Sequence, residues 1–250
     1  MQDKVAIVTG AGSGIGRAIA EAMSARGARV VVAEMDVAKG RHVVEEICCR
    51  KGMAHLHVCD VTRADEVRAM VDCTLTELGR IDILVNNAIC SLGAIESNSW
   101  ENLEVAVRGA WNCTQAVLPS MIEQASGSVV NISSANALMG LGPEHLYTAA
   151  KGAIVSLTRS LAVEYGKHNI RFNVVCPGTT ETEIWEPLKR ANPAVCETLG
   201  KLCPLGRIAR PAEIASAALF LASDDASFVT GAVLMVDGGL TAGNVMFRPV

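Results

Sequence analysis

The chain predicts a single-domain α/β fold, a doubly wound, seven-stranded parallel sheet flanked by helices on both faces. Three observations carry that expectation. Short, β-branched apolar runs alternate with longer stretches whose apolar residues recur at helical spacing. An extended run followed by a helix and a further run requires a crossover connection, hence parallel pairing. The 250 residues, 50% of them apolar, are enough to bury the core of one such domain.

The first strand is Val5-Ala6-Ile7-Val8-Thr9, and it meets Gly10-Ala11-Gly12-Ser13-Gly14-Ile15-Gly16 before a helical pattern that starts near Gly14 and runs to Arg26. Glycines permit the sharp turn and let backbone N–H groups approach a pyrophosphate, which the positive end of the following helix also attracts. Arg29 to Ala33 form the second strand and end in Glu34. A carboxylate there can accept both ribose hydroxyls of an adenosine and repel a 2′-phosphate, which favours NAD over NADP.

Helical stretches then start near Val37, Arg63, Ser99, Leu146 and Pro211, with strands near Leu56, Ile81, Ser128, Ile170 and Ala232. The fourth helix is expected from Ser99 to Gln124. The segment Thr179 to Leu205, carrying Pro187, Pro193 and Pro204 around an amphipathic stretch, follows a strand's carboxyl end, where such sheets bind ligands. It reads as a substrate lid at about 179–205 within one dinucleotide-binding and catalytic domain spanning 1–250. Tyr147 and Lys151 stand one turn apart on one helix face. An ammonium beside a phenol favours the phenolate, so Lys151 is expected to lower the Tyr147 pKa and make it a general acid/base.

Composition bounds the partners. A net charge of −4 gives no basic footprint for nucleic acid. No apolar run reaches the roughly 18 residues of a membrane span, and the N-terminus enters a strand directly, so a cytoplasmic address is expected. The nine cysteines, Cys48, Cys49, Cys59, Cys73, Cys90, Cys113, Cys176, Cys196 and Cys203, show no C-x-x-C pairing. Neither disulfides nor zinc is indicated. His55 and His57 share one strand face without a third ligand nearby, and no metal is expected.

The glycine spacing G-x-x-x-G-x-G, joined to Cys59-Asp60-Val61, Asn86-Asn87-Ala88, Asn131-Ile132-Ser133-Ser134, Tyr147-x-x-x-Lys151, Pro177-Gly178 and Val236-Asp237-Gly238-Gly239, covers essentially the whole chain. In these motifs the chain resembles the short-chain dehydrogenase/reductase family. The resemblance implies a Rossmann-type fold, a nicotinamide-dependent oxidoreductase and a homotetramer or homodimer. Helix Leu146 to Tyr165 carries more apolar positions than one buried stripe needs, which fits a subunit interface, and the tail with Val245, Met246 and Phe247 is a second candidate.

The resemblance also assigns residues. Asp60 and Val61 match positions that hold the adenine, and Asn87 one near the adenosine ribose. Ser134, with Ser133 as competitor, matches the serine that hydrogen-bonds the substrate oxygen; Lys151 also binds the nicotinamide ribose. Thr182 matches the threonine that bonds the carboxamide, with Thr179 and Thr180 as rivals. The expected cofactor site is therefore Gly10, Gly12, Ser13, Gly14, Ile15, Gly16, Glu34, Asp60, Val61, Asn87, Tyr147, Lys151, Pro177, Gly178, Thr180 and Thr182. Ser134, Tyr147 and Lys151 are the expected catalytic residues.

Substrate contacts are expected from Ser134, Asn136, His145 and Trp185, in a pocket that also draws on Ser91, Leu92, Ala135, Leu141 and Thr180. That mixture of polar and apolar groups fits a small hydroxylated alcohol or ketone, with a sugar or polyol as the alternative. An NADPH-dependent 3-oxoacyl-type reductase is opposed by Glu34 and by Ser13, where NADP-preferring relatives often carry a basic residue. A nucleotide-binding scaffold or redox sensor without turnover is opposed by the retained acid/base group. Two positions depart from the family pattern. Ile89 replaces a glycine, and Ala106 or Val107, depending on register, replaces an asparagine that anchors a proton-relay water.

Overall fold

A computed structural model describes residues 1–90 and 99–243. Seven parallel strands lie in the order β3-β2-β1-β4-β5-β6-β7, namely β1 Val5–Thr9, β2 Arg29–Glu34, β3 Met53–Val58, β4 Ile83–Asn86, β5 Gly127–Ile132, β6 Ile170–Pro177 and β7 Val233–Val236. Helices α1 Gly14–Ser24, α2 Val37–Cys49 and α3 Ala64–Leu78 connect the first four strands. The strand order reverses between β2 and β4, on either side of β1, so a crevice opens at the carboxyl ends of β1 and β4.

Successive residues of β1 supply opposite cores, because side chains alternate across a sheet. Ala6 and Val8 pack with Ile19, Met23, Val43 and Ile214 on one face, while Ile7 packs with Met70, Val117, Met121 and Phe172 on the other. Every residue of β1 is buried, as expected of a central strand covered on both sides.

The expected helix from Ser99 to Gln124 is broken. It consists of α4 Glu101–Leu103, a π-helical stretch Glu104–Gly109, and α5 Ala110–Glu123. α6 His145–Tyr165 begins one residue before the expected start. The lid folds into a single turn Glu183–Trp185 and two short helices, α7 Glu186–Ala191 and α8 Val195–Gly200, and α9 Pro211–Ala222 returns the chain to the sheet. Among the described residues, no helix is long and apolar enough to cross a membrane. Ser91, Leu92, Val245, Met246 and Phe247 lie outside the described residues.

Candidate active site

The glycine turn is shaped by close approach. Gly10 and Gly14 have φ of +60° and +55°, a region that favours glycine, and a Cβ on Gly16 would collide with the Gly10 carbonyl oxygen. The Asn87 side chain donates to the carbonyls of Thr9 at 3.0 Å and Gly10 at 3.1 Å, clamping the turn from the end of β4. Glu34 Oε2 accepts the Gly12 N–H at 2.9 Å, and its Oε1 accepts from Met35 at 2.9 Å and Asp36 at 3.0 Å. Gly12 leaves room for this, since a Cβ there would lie 2.7 Å from Glu34 Oε2. The carboxylate is thereby fixed beside the turn.

At the opposite side, the lid meets the start of α1. Gly14 N–H donates to Glu183 Oε2 at 3.0 Å, and a Cβ on Gly14 would lie 3.1 Å from the Thr182 methyl carbon. Ser13, the N-cap of α1, makes no side-chain cap, so an anionic oxygen from the lid satisfies a helix-terminal amide.

β5 and α6 together assemble the proton-handling group. Ser134 follows β5 and shares a hydrogen bond with the Tyr147 hydroxyl, while Ser133 donates to the Lys151 carbonyl at 2.7 Å. The two serines are therefore separated by contact, and Ser134 is the one at the tyrosine. Lys151 is buried; its Nζ lies 5.6 Å from the Tyr147 ring centroid and donates to the Ile132 carbonyl at 3.0 Å.

Burial pushes the Tyr147 phenol up, the Ser134 hydrogen bond pulls it back, and Glu144 pushes it up again. This corrects the expectation that Lys151 lowers it. The ammonium is turned onto a carbonyl, and desolvation of the phenolate is the larger effect. Burial pulls Lys151 itself down to about 8, against a smaller upward effect of Cys176.

A cavity of about 10 Å³, the size of one water, adjoins Lys151 and is lined by Thr9, Asn86, Ala106 and Gly109. Among the described residues, Asn86 Oδ1 has no hydrogen-bond partner. Ala106 presents only a methyl group here, and Val107 packs instead against the cluster of Ile154, Val155, Val174 and Cys176. Neither register supplies a polar side chain.

A family model described as Enoyl-(Acyl carrier protein) reductase matches residues 10–241. The cis-4-hydroxycyclohexanecarboxylate dehydrogenase of Sinomonas cyclohexanicum is 42% identical over 248 residues, covering 96% of this chain and 97% of that protein. The chain belongs to the short-chain dehydrogenase/reductase family. L-fucose dehydrogenase of Bos taurus is 39% identical over 253 residues, covering 96% of this chain and 90% of that protein. A solved structure of a gluconate 5-dehydrogenase from Burkholderia cenocepacia, in complex with NADP and tartrate, superposes with a TM-score of 0.88 at 33% identity, covering 97% of each chain.

Short-chain dehydrogenases bind a nicotinamide cofactor, and the residues here fit one. The amide of Gly14 already holds a carboxylate oxygen, Gly10, Gly12 and Gly16 stand where a Cβ would lie within 3 Å of a neighbouring atom, and Glu34 stands at the end of β2. Asp60 accepts from the Thr62 backbone at 2.9 Å and hydroxyl at 2.8 Å, and Val61 packs so tightly on Gly109 that a Cβ there would meet its side chain. Asn112, which belongs to none of the motifs, donates to the carbonyls of Val61 at 3.0 Å and Thr62 at 3.2 Å. It pins the expected adenine segment to α5.

Of the three threonines, Thr182 lies at the glycine turn; the Thr180 hydroxyl donates to the Gly178 carbonyl at 3.0 Å, and the Thr179 carbonyl accepts from Ala209 at 2.9 Å. Gly178 follows Pro177 where a Cβ would lie 2.8 Å from the Asp237 backbone. Trp185 donates to the Thr180 carbonyl at 2.9 Å and ties the lid's first turn to the end of β6. Ile89 is exposed at 48%, so this member of the family accommodates its side chain at the surface. His145 opens α6, and Asn136 lies in the turn after Ser134.

Proposed function

We propose that this chain is an NAD-dependent oxidoreductase that interconverts a secondary alcohol and a ketone on a small hydroxylated molecule. The observation that carries this reading is the contact of Ser134 with the Tyr147 hydroxyl one helical turn from a buried Lys151. When bound, the nicotinamide supplies the acceptor or donor of hydride at the carbinol carbon. Tyr147 takes the hydroxyl proton on oxidation and returns it on reduction. Ser134 accepts from the Asn136 N–H at 3.2 Å, which orients its hydroxyl, and its one proton, shared here with the Tyr147 oxygen, turns to the substrate oxygen as charge develops. Lys151 binds the nicotinamide ribose, its Nζ held at the end of β5 by the Ile132 carbonyl.

The turn from Gly10 to Gly16 would hold the pyrophosphate, with Asn87 fixing its shape. Asp60 and Val61 would hold the adenine, while Pro177, Gly178, Thr180 and Thr182 would line the nicotinamide end. Glu34 supports NAD: three backbone amides fix its carboxylate, so turning it away from a 2′-phosphate would break three hydrogen bonds.

Catalytic efficiency with NAD is expected to exceed that with NADP by about 10²-fold, a gap of roughly 3 kcal/mol from repulsion and lost ribose contacts. Glu34→Ala should narrow this gap without reversing it, because no cation is introduced to bind a 2′-phosphate. Equal efficiency of the two cofactors in the wild type would refute the assignment. Steady-state NADH formation with secondary alcohols, aldoses and polyols tests the reaction itself, and failure to turn over any of them would favour a binding scaffold. Ser134→Ala is expected to lower kcat by about 10²-fold with little change in NADH affinity, as for a lost donor to a developing oxyanion.

A further inference from the structure

Resting on the reading of Ser134 and Tyr147 as the reacting end of the site, we infer that Glu144 is a specificity-determining residue whose carboxylate selects uncharged hydroxylated substrates over carboxylates and phosphates. Glu144 is the residue before α6, the N-cap position, where short polar side chains commonly turn back to bond the first helical amides. Here it makes no such cap. Its Oε2 instead accepts from Asn136 Nδ2 at 2.8 Å. The Asn136 backbone N–H donates to Ser134 Oγ at 3.2 Å, and Ser134 meets the Tyr147 hydroxyl.

Asn136 thus bonds both groups, its backbone N–H to Ser134 at the proton-transferring oxygen and its side-chain amide to the Glu144 carboxylate at the head of α6. Glu144 is half-buried, and its partner is a neutral amide, which orients the carboxylate without cancelling its charge. That charge reaches Tyr147, whose phenol Glu144 helps push up.

Asn136 joins Glu144 to Ser134, and the Glu144 charge already acts on the Tyr147 phenol, so this carboxylate also acts on groups adjoining a carbinol oxygen held by Ser134 and Tyr147. A neighbouring hydroxyl can donate to it, whereas a carboxylate or phosphate there meets a like charge in a partly desolvated site. The ligand class is therefore a neutral vicinal diol, an aldose or a hydroxylated ring. The hydroxy acids that name two of the relatives, cis-4-hydroxycyclohexanecarboxylate and gluconate, are disfavoured.

The test uses matched pairs, cyclohexanol against cis-4-hydroxycyclohexanecarboxylate and glucitol against gluconate, with the full-length wild type and Glu144→Gln. Glutamine keeps the shape and an oxygen to accept from Asn136. The wild type should favour the neutral member by at least about tenfold in kcat/KM, and Glu144→Gln should shrink that ratio about tenfold, chiefly by improving the anionic member. NADH affinity, read by fluorescence titration, should stay unchanged.

The same ratio is read without turnover by titrating each pair into the enzyme–NADH complex and comparing dissociation constants. Binding selectivity without turnover would count against the proposed reaction and support the charge filter. A ratio that is the same in wild type and Glu144→Gln, in both turnover and binding, overturns the inference, as does a wild type that prefers the hydroxy acid.

Discussion

Tyr147→Phe is expected to lower kcat by at least about 10³-fold while NADH affinity changes by less than about threefold. The ring fills the same space beside α6, and only the transferable proton is lost, so the loss falls on the chemical step and not on cofactor binding. Because burial holds the Tyr147 phenol above its ordinary range, the phenolate that oxidation needs grows with pH, and wild-type oxidation should rise through the alkaline range. Ketone reduction uses the protonated form and should fall over the same interval. Both limbs should vanish in Tyr147→Phe. Residual turnover above about one per cent, or an unchanged pH profile, would overturn the assignment of Tyr147 as the acid/base. Lys151→Met should weaken NADH binding as well as kcat, which separates it from Tyr147→Phe.

Gly16→Ala is expected to destabilise the fold by about 2–3 kcal/mol, lowering Tm by roughly 5–10 °C in thermal unfolding followed by circular dichroism. In most helices the same change stabilises by about 1 kcal/mol. Here the new methyl would strike the Gly10 carbonyl and the Asn87 amide, and neither is a free side-chain end: one is backbone, the other is bonded to Thr9 and Gly10. Gly166→Ala is the control. That residue ends α6 in the right-handed helical region, and its Cβ would meet nothing within 4 Å, so it should match or slightly exceed the wild type. Equal melting of Gly16→Ala and wild type would mean that α1 can move away from the turn at little cost.

The parts of this molecule legible in the sequence are those written by local physics. β-branched runs, the glycine spacing and the helical period joining Tyr147 to Lys151 each act within a few residues, and the parallel sheet followed from them, whereas Ser134 came from the family resemblance and its contact with Tyr147 separates it from Ser133. The stretch Glu104–Gly109 was hidden because a π-helix shifts the period gradually, and the apolar pattern reads through it as one helix. Asn112 on Val61, Glu183 on Gly14 and Asn136 on Glu144 join residues whose partners no spacing announces. The direction of the Tyr147 shift depends on how deeply the phenol is buried and on where Lys151 Nζ points, which are properties of the packed molecule.

The clamp of Asn87 on Thr9 and Gly10 has a consequence for the order in which the chain acquires its structure. Residues 1–60 contain the entire glycine turn, Glu34 and Asp60, but the amide that holds the turn comes from beyond β4. Pairing of β1 with β4, in register at Ala6 and Ile83, must close a long loop before that amide arrives. During synthesis from the N-terminus, the complete nucleotide fingerprint emerges well before it has anything to rest on. A nascent chain truncated before Asn87 would carry the recognisable motif without its geometry, and cofactor capture would mark the docking of β4 against β1.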